Sequence, residues 1–147
     1  MFGTAGRGLG EGRCALQNDF QYLVGIDSGS EKHRMCLMDR AGKIVEERWV
    51  EHSGNSLAEL VDWLRRQTFE SPSAPAAAIE VPRGAIVETL LEHGFAVFSI
   101  NPKQLDRFCD RYSPAGAKDD RRDAFVLADS VRTDMHCFHA VRLDEPP

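Results

Sequence analysis

Val24-Gly25-Ile26-Asp27, followed by Ser28-Gly29-Ser30, is the stretch that decides how this 147-residue chain reads. The near-continuous apolar run from Tyr22 to Asp27 marks a strand covered on both faces. Its last residue is an acid, and a carboxylate at the end of a buried strand is costly unless a cation or a donor compensates it. The small residues after Asp27 let backbone and solvent approach. The plain alternative is a capped turn, since Asp-Ser-Gly is ordinary turn chemistry.

Working outward, residues 33–38 and 43–50 flank Asp39-Arg40-Ala41-Gly42, a hairpin signal, so the first strand opens a three-strand meander. Ser56 is expected to cap a helix in which Leu57, Leu60, Val61 and Leu64 recur at helical spacing, with Glu59 completing a capping box. After a loop over 70–75, the short run Ala76-Ala77-Ala78-Ile79-Glu80 again ends in an acid, for which pairing with Arg83 is the ordinary explanation. A helix over 85–92 closes on Gly94. A strand over 95–100 precedes Asn101-Pro102, which fit an N-cap and a first helical residue. That helix is expected over 103–112, and a last one over 120–133 after the break at Ser113-Pro114-Ala115-Gly116. The order β-β-β-α-β-α-β-α-α predicts an α/β domain, a mixed five-stranded sheet with helices on both faces, as in an RNase H-like domain.

Asp120 and Asp123 lie three apart on the last helix and share a face that Ala124 and Leu127 continue toward the sheet. Two carboxylates on a core-facing stripe repel and lose solvation unless a cation lies between them. Asp119 stands where an N-cap belongs and reads as structural. Asp27, Glu80, Asp120 and Asp123 are thus four acids that such a sheet would bring to one edge. Oxygen-only donors suit Mg²⁺, with Mn²⁺ as a substitute. Two such ions activate a water or 3′-hydroxyl and stabilise the departing oxygen in phosphodiester chemistry. Lys103, Arg107, Lys118, Arg121 and Arg122 are the expected nucleic-acid contacts, positioning phosphates without reading sequence. A solvated charged face is the plain alternative for that stretch.

The bulk numbers narrow the rest. Forty-two per cent hydrophobic and 28 per cent charged residues are ordinary for a globular domain, and the formal charge of −5 provides no global attraction to nucleic acid, so contacts must be local. Cys14, Cys36, Cys109 and Cys137 are widely spaced without a C-x-x-C, which fits a reducing cytoplasm. Met135-His136-Cys137-Phe138-His139 offers soft ligands but no second cluster to complete four-coordination. No apolar run approaches ~18 residues, so a membrane span is not expected. The N-terminus has no charged-then-apolar leader. Residues 1–19 are Gly-rich and aperiodic and are expected to be a disordered extension. Residues 20–135 form the domain, and 136–147 a tail or the start of a linker.

From Tyr22 to about Asp134 the chain resembles the N-terminal, RuvC-like domain of the DEDD transposases of bacterial insertion sequences, which are RNA-guided DNA recombinases. The residues that carry the resemblance are Val24-Gly-Ile-Asp27, Ala78-Ile-Glu80, Gly94 through Ile100-Asn-Pro102, and Gly116-Ala-Lys-Asp-Asp-Arg-Arg-Asp-Ala124 leading into Leu127-Ala128. The resemblance implies that the family's acidic tetrad falls on Asp27, Glu80, Asp120 and Asp123. It also implies metal-dependent DNA strand cleavage and transfer, DNA and a structured guide RNA as partners, and a homo-oligomer in the full-length form. Many relatives have Thr where Asp119 stands, and both residues cap helices. Such transposases continue into a helical stretch and a second domain bearing a catalytic serine. A chain ending at Pro147 is expected to be truncated before it, and Ser53, Ser56, Ser99, Ser113 and Ser130 do not fill that role. Two other readings stand beside this one. The first is a catalytically silent nucleic-acid-binding or dimerisation fragment. The second is a fragment of an actin-like ATPase or sugar kinase, whose first phosphate loop Val24–Ser30 resembles, although no second Gly-rich loop follows.

Overall fold

The computed structural model describes residues 20–69, 74–111 and 120–142, the side chains of 120–122 excepted. The expected extension over 1–19 and Lys118 lie outside the described residues. The elements are β1 (Tyr22–Asp27), β2 (Lys32–Asp39), β3 (Ile44–Glu51), α1 (Gly54–Gln67), β4 (Ala76–Ile79), α2 (Ala85–Glu92), β5 (Ala96–Ser99), α3 (Pro102–Asp110), α4 (Asp120–Thr133), a 3₁₀ turn (Met135–Cys137) and β6 (His139–Ala140). The strands form one sheet in the order β3-β2-β1-β4-β5-β6. β1, β4 and β5 pair in parallel. The β2–β3 hairpin adds to one side antiparallel, and β6 to the other. The sheet therefore has one strand more than the five expected. β6 is two residues long, too short to show any period in the sequence.

Local chemistry explains the boundaries. In the β2–β3 turn, Asp39 Oδ1 accepts the backbone N–H of Ala41 and of Lys43, each at 2.9 Å. Gly42 takes a φ of 89°, which a residue without a Cβ adopts without strain. Asn101 caps α3 as expected: its Oδ1 accepts the N–H of Gln104 at 2.9 Å, and Pro102 opens the helix. The cap of α1 is a correction. Ser53, not Ser56, is the N-cap, and Ser53 Oγ accepts the N–H of Ser56 at 3.2 Å. The segment Ser53-Gly54-Asn55-Ser56 offers several competent caps. The earlier serine prevails because the helix begins a turn before its first apolar residue, which leaves Glu59 in the helix body rather than in a capping box.

The core lies in two layers. On one face, Val24, Ile26, Leu37, Ala77, Ile79 and Val97 pack against Leu57, Leu60 and Leu64 of α1 and Ile86 and Leu90 of α2. On the other, Leu23, Ala76, Ala78 and Phe98 pack against Leu105 and Phe108 of α3 and Leu127 and Val131 of α4. The second face is built for close approach. A Cβ on Gly25 would stand 2.0 Å from the carbonyl oxygen of Ala124 and 2.6 Å from the amide nitrogen of Ala128, so helix backbone rests directly on strand backbone. Among the described residues, no helix is long and apolar enough to cross a membrane.

Candidate metal and DNA site at the carboxyl edge of the sheet

Asp27 and Glu80 reach the same edge through strand register. β1 and β4 are parallel with Ile26 opposite Ile79, so each acid stands at the carboxyl end of its strand, next after an equivalent residue. Side chains alternate along a strand. Asp27 therefore shares the face of Leu23 and Gly25, and Glu80 that of Ala76 and Ala78, which is the face that α4 covers. Both acids are half-buried.

The direction of α4 follows from its two ends. Ala124 and Ala128 lie on Gly25 near the middle of β1. Farther along, Arg132 donates from Nη2 to Asp129 Oδ1 at 2.7 Å and from Nη1 to the carbonyl of Arg40 at 3.3 Å. Arg40 in turn donates its N–H to the carbonyl of Gln21, just before β1 begins. The helix thus runs antiparallel to β1, and its first turn, with Asp120 and Asp123, lies toward the Asp27 end. Asp123 is half-buried, and the Cys109 thiol from α3 points at its Oδ1 at 3.7 Å. The side chain of Asp120 is outside the described residues. Among the described residues, no three His, Cys, Asp or Glu side chains gather as a metal-holding group. Asp27, Glu80 and Asp123 nonetheless offer carboxylate oxygens, the donor type that Mg²⁺ takes. Beside Glu80 a cavity of about 440 Å³ opens, lined by Pro82, Ser99, Asn101, Gln104 and His139 among others.

Of the expected phosphate contacts, Lys103 and Arg107 are exposed on α3. Arg121 and Arg122 belong to the first turn of α4, with side chains outside the described residues. The soft-ligand run divides between the 3₁₀ turn and β6, with Phe138 buried and His136 and His139 exposed.

Two residues near the edge escaped the sequence reading. Arg34 lies opposite Asp27 on β2 and is only 8% exposed. Its Nη2 meets Glu47 at 3.3 Å, its guanidinium carbon is 5.4 Å from the Trp49 ring centre, and its Nε has no hydrogen-bond partner among the described residues. His33 is 2% exposed. Its Nδ1 lies 3.2 Å from Ser28 Oγ and 3.3 Å from the Gly29 amide nitrogen, and its Nε2 lies 3.0 Å from Nδ1 of His52. Burial, and then the neighbouring His52 ring, hold the His33 pKa below its usual value. Both residues sit inside the alternation of β2, where a polar residue at a buried position was the available signal. Cys36 lies in the same strand, and burial pushes its thiol up to about 12, an inert structural cysteine.

Comparison with known proteins fits this geometry. Residues 24–146 match the transposase family designated DEDD_Tnp_IS110. The chain is 47% identical over 124 residues to the Sinorhizobium fredii protein named "Putative transposase y4uE", covering 84% of this chain and 34% of that protein. It is 31% identical over 128 residues to the Streptomyces coelicolor protein named "Mini-circle putative transposase for IS117", covering 87% of this chain and 31% of that one. The chain therefore spans about a third of the length of these curated relatives. Among solved structures, Thermus thermophilus RuvC in complex with a Holliday junction substrate superposes with a TM-score of 0.54 at 12% identity, covering 82% of this chain and 99% of that one. A second Thermus thermophilus RuvC structure gives 0.52 at 14% identity, with the same two coverages. Identities that low speak for the fold alone, which is the RuvC-like, RNase H-like arrangement. The strand-end acids, the antiparallel last helix and the match over residues 24–146 lead to one conclusion: the chain belongs to the IS110-type DEDD transposase family.

Proposed function

We propose that this domain carries the phosphodiester chemistry of an insertion-sequence transposase: divalent-metal-dependent DNA strand cleavage and transfer, with Asp27, Glu80, Asp120 and Asp123 as catalytic metal ligands. What supports the reading most is the register that sets Asp27 and Glu80 side by side at the ends of parallel strands, on the face α4 crosses. Two Mg²⁺ ions, or Mn²⁺ in their place, would supply an activated oxygen nucleophile and charge stabilisation at the leaving oxygen. The protein's own part is positioning. β1 and β4 hold Asp27 and Glu80 on a rigid frame, and their partial burial strengthens attraction to a dication by lowering the local dielectric. The backbone contact of α4 on Gly25 sets the height of Asp120 and Asp123 above the sheet edge. Lys103, Arg107, Lys118, Arg121 and Arg122 hold phosphates of the strand to be cut.

DNA is the substrate in this reading, with a structured guide RNA and a homo-oligomeric full-length protein as the family resemblance implies, and a cytoplasmic location to which the widely spaced cysteines are suited. The solved RuvC relative is bound to a Holliday junction, which makes branched DNA the first substrate to try. The family match sets aside the actin-like ATPase reading. The test is incubation of the chain with branched DNA and Mn²⁺ or Mg²⁺. Metal-dependent nicking, reduced at least about a hundredfold in Asp27→Asn, is the expected result. DNA binding with no cleavage under either metal would instead identify a catalytically silent nucleic-acid-binding or dimerisation module.

A further inference from the structure

We infer that His33 is a positioning residue: its neutral form, with the proton on Nε2, fastens the Ser28–Gly29 turn that directly follows Asp27. The inference rests on the assignment of Asp27 to the metal site. Its geometry stands independently. The Gly29 amide can only donate, so Nδ1 of His33, 3.3 Å away, must be the acceptor. A lone pair on Nδ1 places the single ring proton on Nε2, which then donates to Nδ1 of His52 at 3.0 Å. His52 must accept there and so keeps its own proton on its other nitrogen. The Ser28 hydroxyl at 3.2 Å shares the same Nδ1. One tautomer satisfies every contact, and a second proton on His33 would set an N–H against the Gly29 N–H.

The surroundings make this arrangement specific. His33 lies on the same face of β2 as Met35 and Leu37, with almost no solvent access. Burial and the His52 ring both favour the uncharged ring, which is the accepting form. The turn itself is tight, since a Cβ on Gly29 would come within 2.5 Å of the Lys32 carbonyl oxygen. From the far side, His52 donates its backbone N–H to the carbonyl of Glu31 at 2.8 Å, joining the end of β3 to the same loop. The chain leaving Asp27 is thereby held from β2 and from the residue after β3, at the point where the strand ladder stops constraining it.

The experiment uses the 147-residue chain, isotope-labelled, with three readouts. Long-range nitrogen–proton NMR at pH 7.5 should show His33 protonated on Nε2 and bare on Nδ1. The Gly29 amide should exchange about tenfold faster in His33→Leu, which removes the acceptor. In His33→Asn, whose side-chain oxygen can stand near the Nδ1 position, exchange should stay within about threefold of wild type. Mn²⁺ affinity should fall several-fold in the Leu variant and be retained in the Asn variant, a rescue that general loss of packing would not give. A His33 proton on Nδ1 overturns the inference, as does unchanged Gly29 exchange in a folded Leu variant. So does a loosened turn with unchanged Mn²⁺ affinity. Should the Leu variant fail to fold, the wild-type tautomer and the Asn variant decide. A wild-type chain that binds no Mn²⁺ would sink the metal assignment, and with it the inferred role toward the site.

Discussion

Asp27 and Glu80 were legible as candidates because each is an acid closing an apolar run, and the strand register that makes them neighbours follows from those same runs. His33 and Arg34 were not. A polar residue inside an apolar strand acquires meaning only from its partners, and those are His52, 19 positions on, and Glu47, 13 positions on. Nothing local in the sequence announces such pairs. Asp120 lies between these cases, visible as a helical partner of Asp123 three residues away. On the proposed assignment, Asp120→Ala weakens divalent binding while leaving the fold intact or slightly more stable, because one source of carboxylate repulsion disappears. Calorimetric titration with Mg²⁺ checks this, and an unaltered affinity would remove Asp120 from the ligand set.

At the scale of elements, the strands and helices read correctly where apolar spacing was strong, and failed where two chemistries competed or length ran short. The start of α1 turned on a choice among neighbouring cap-competent residues, and β6 was too brief to register. The cap can be measured: Ser53→Ala should cost about 1 kcal/mol in urea unfolding, and Ser56→Ala clearly less. Equal losses would return the cap to Ser56. Gly25 sets a sharper test of how α4 sits on β1. Its added methyl group would meet helix backbone at 2.0 Å, and backbone cannot rotate aside as a side chain can. Gly25→Ala should therefore destabilise the fold by about 3 kcal/mol or more, seen as a lowered urea midpoint. A wild-type midpoint would mean that the helix can lift off the strand without penalty.

For the whole molecule, a formal charge of −5 makes long-range attraction to DNA unfavourable, so the proposed DNA binding must depend on local basic groups. Arg121→Gln with Arg122→Gln should weaken DNA binding and flatten its salt dependence by roughly 2 in the log–log slope, as expected for two lost phosphate contacts. Fluorescence titration over a range of salt measures that slope, and an unchanged value would show that these arginines face away from DNA. The topology has a further consequence. β1 contributes its acid near the beginning of the fold and α4 contributes its pair near the end, with the β4 residue between them. During synthesis the emerging polypeptide can complete the first sheet strands long before it owns all four of the proposed ligands. On the proposed assignment the site is thus incomplete on the ribosome, and it is assembled only when the final helix lies down on Gly25.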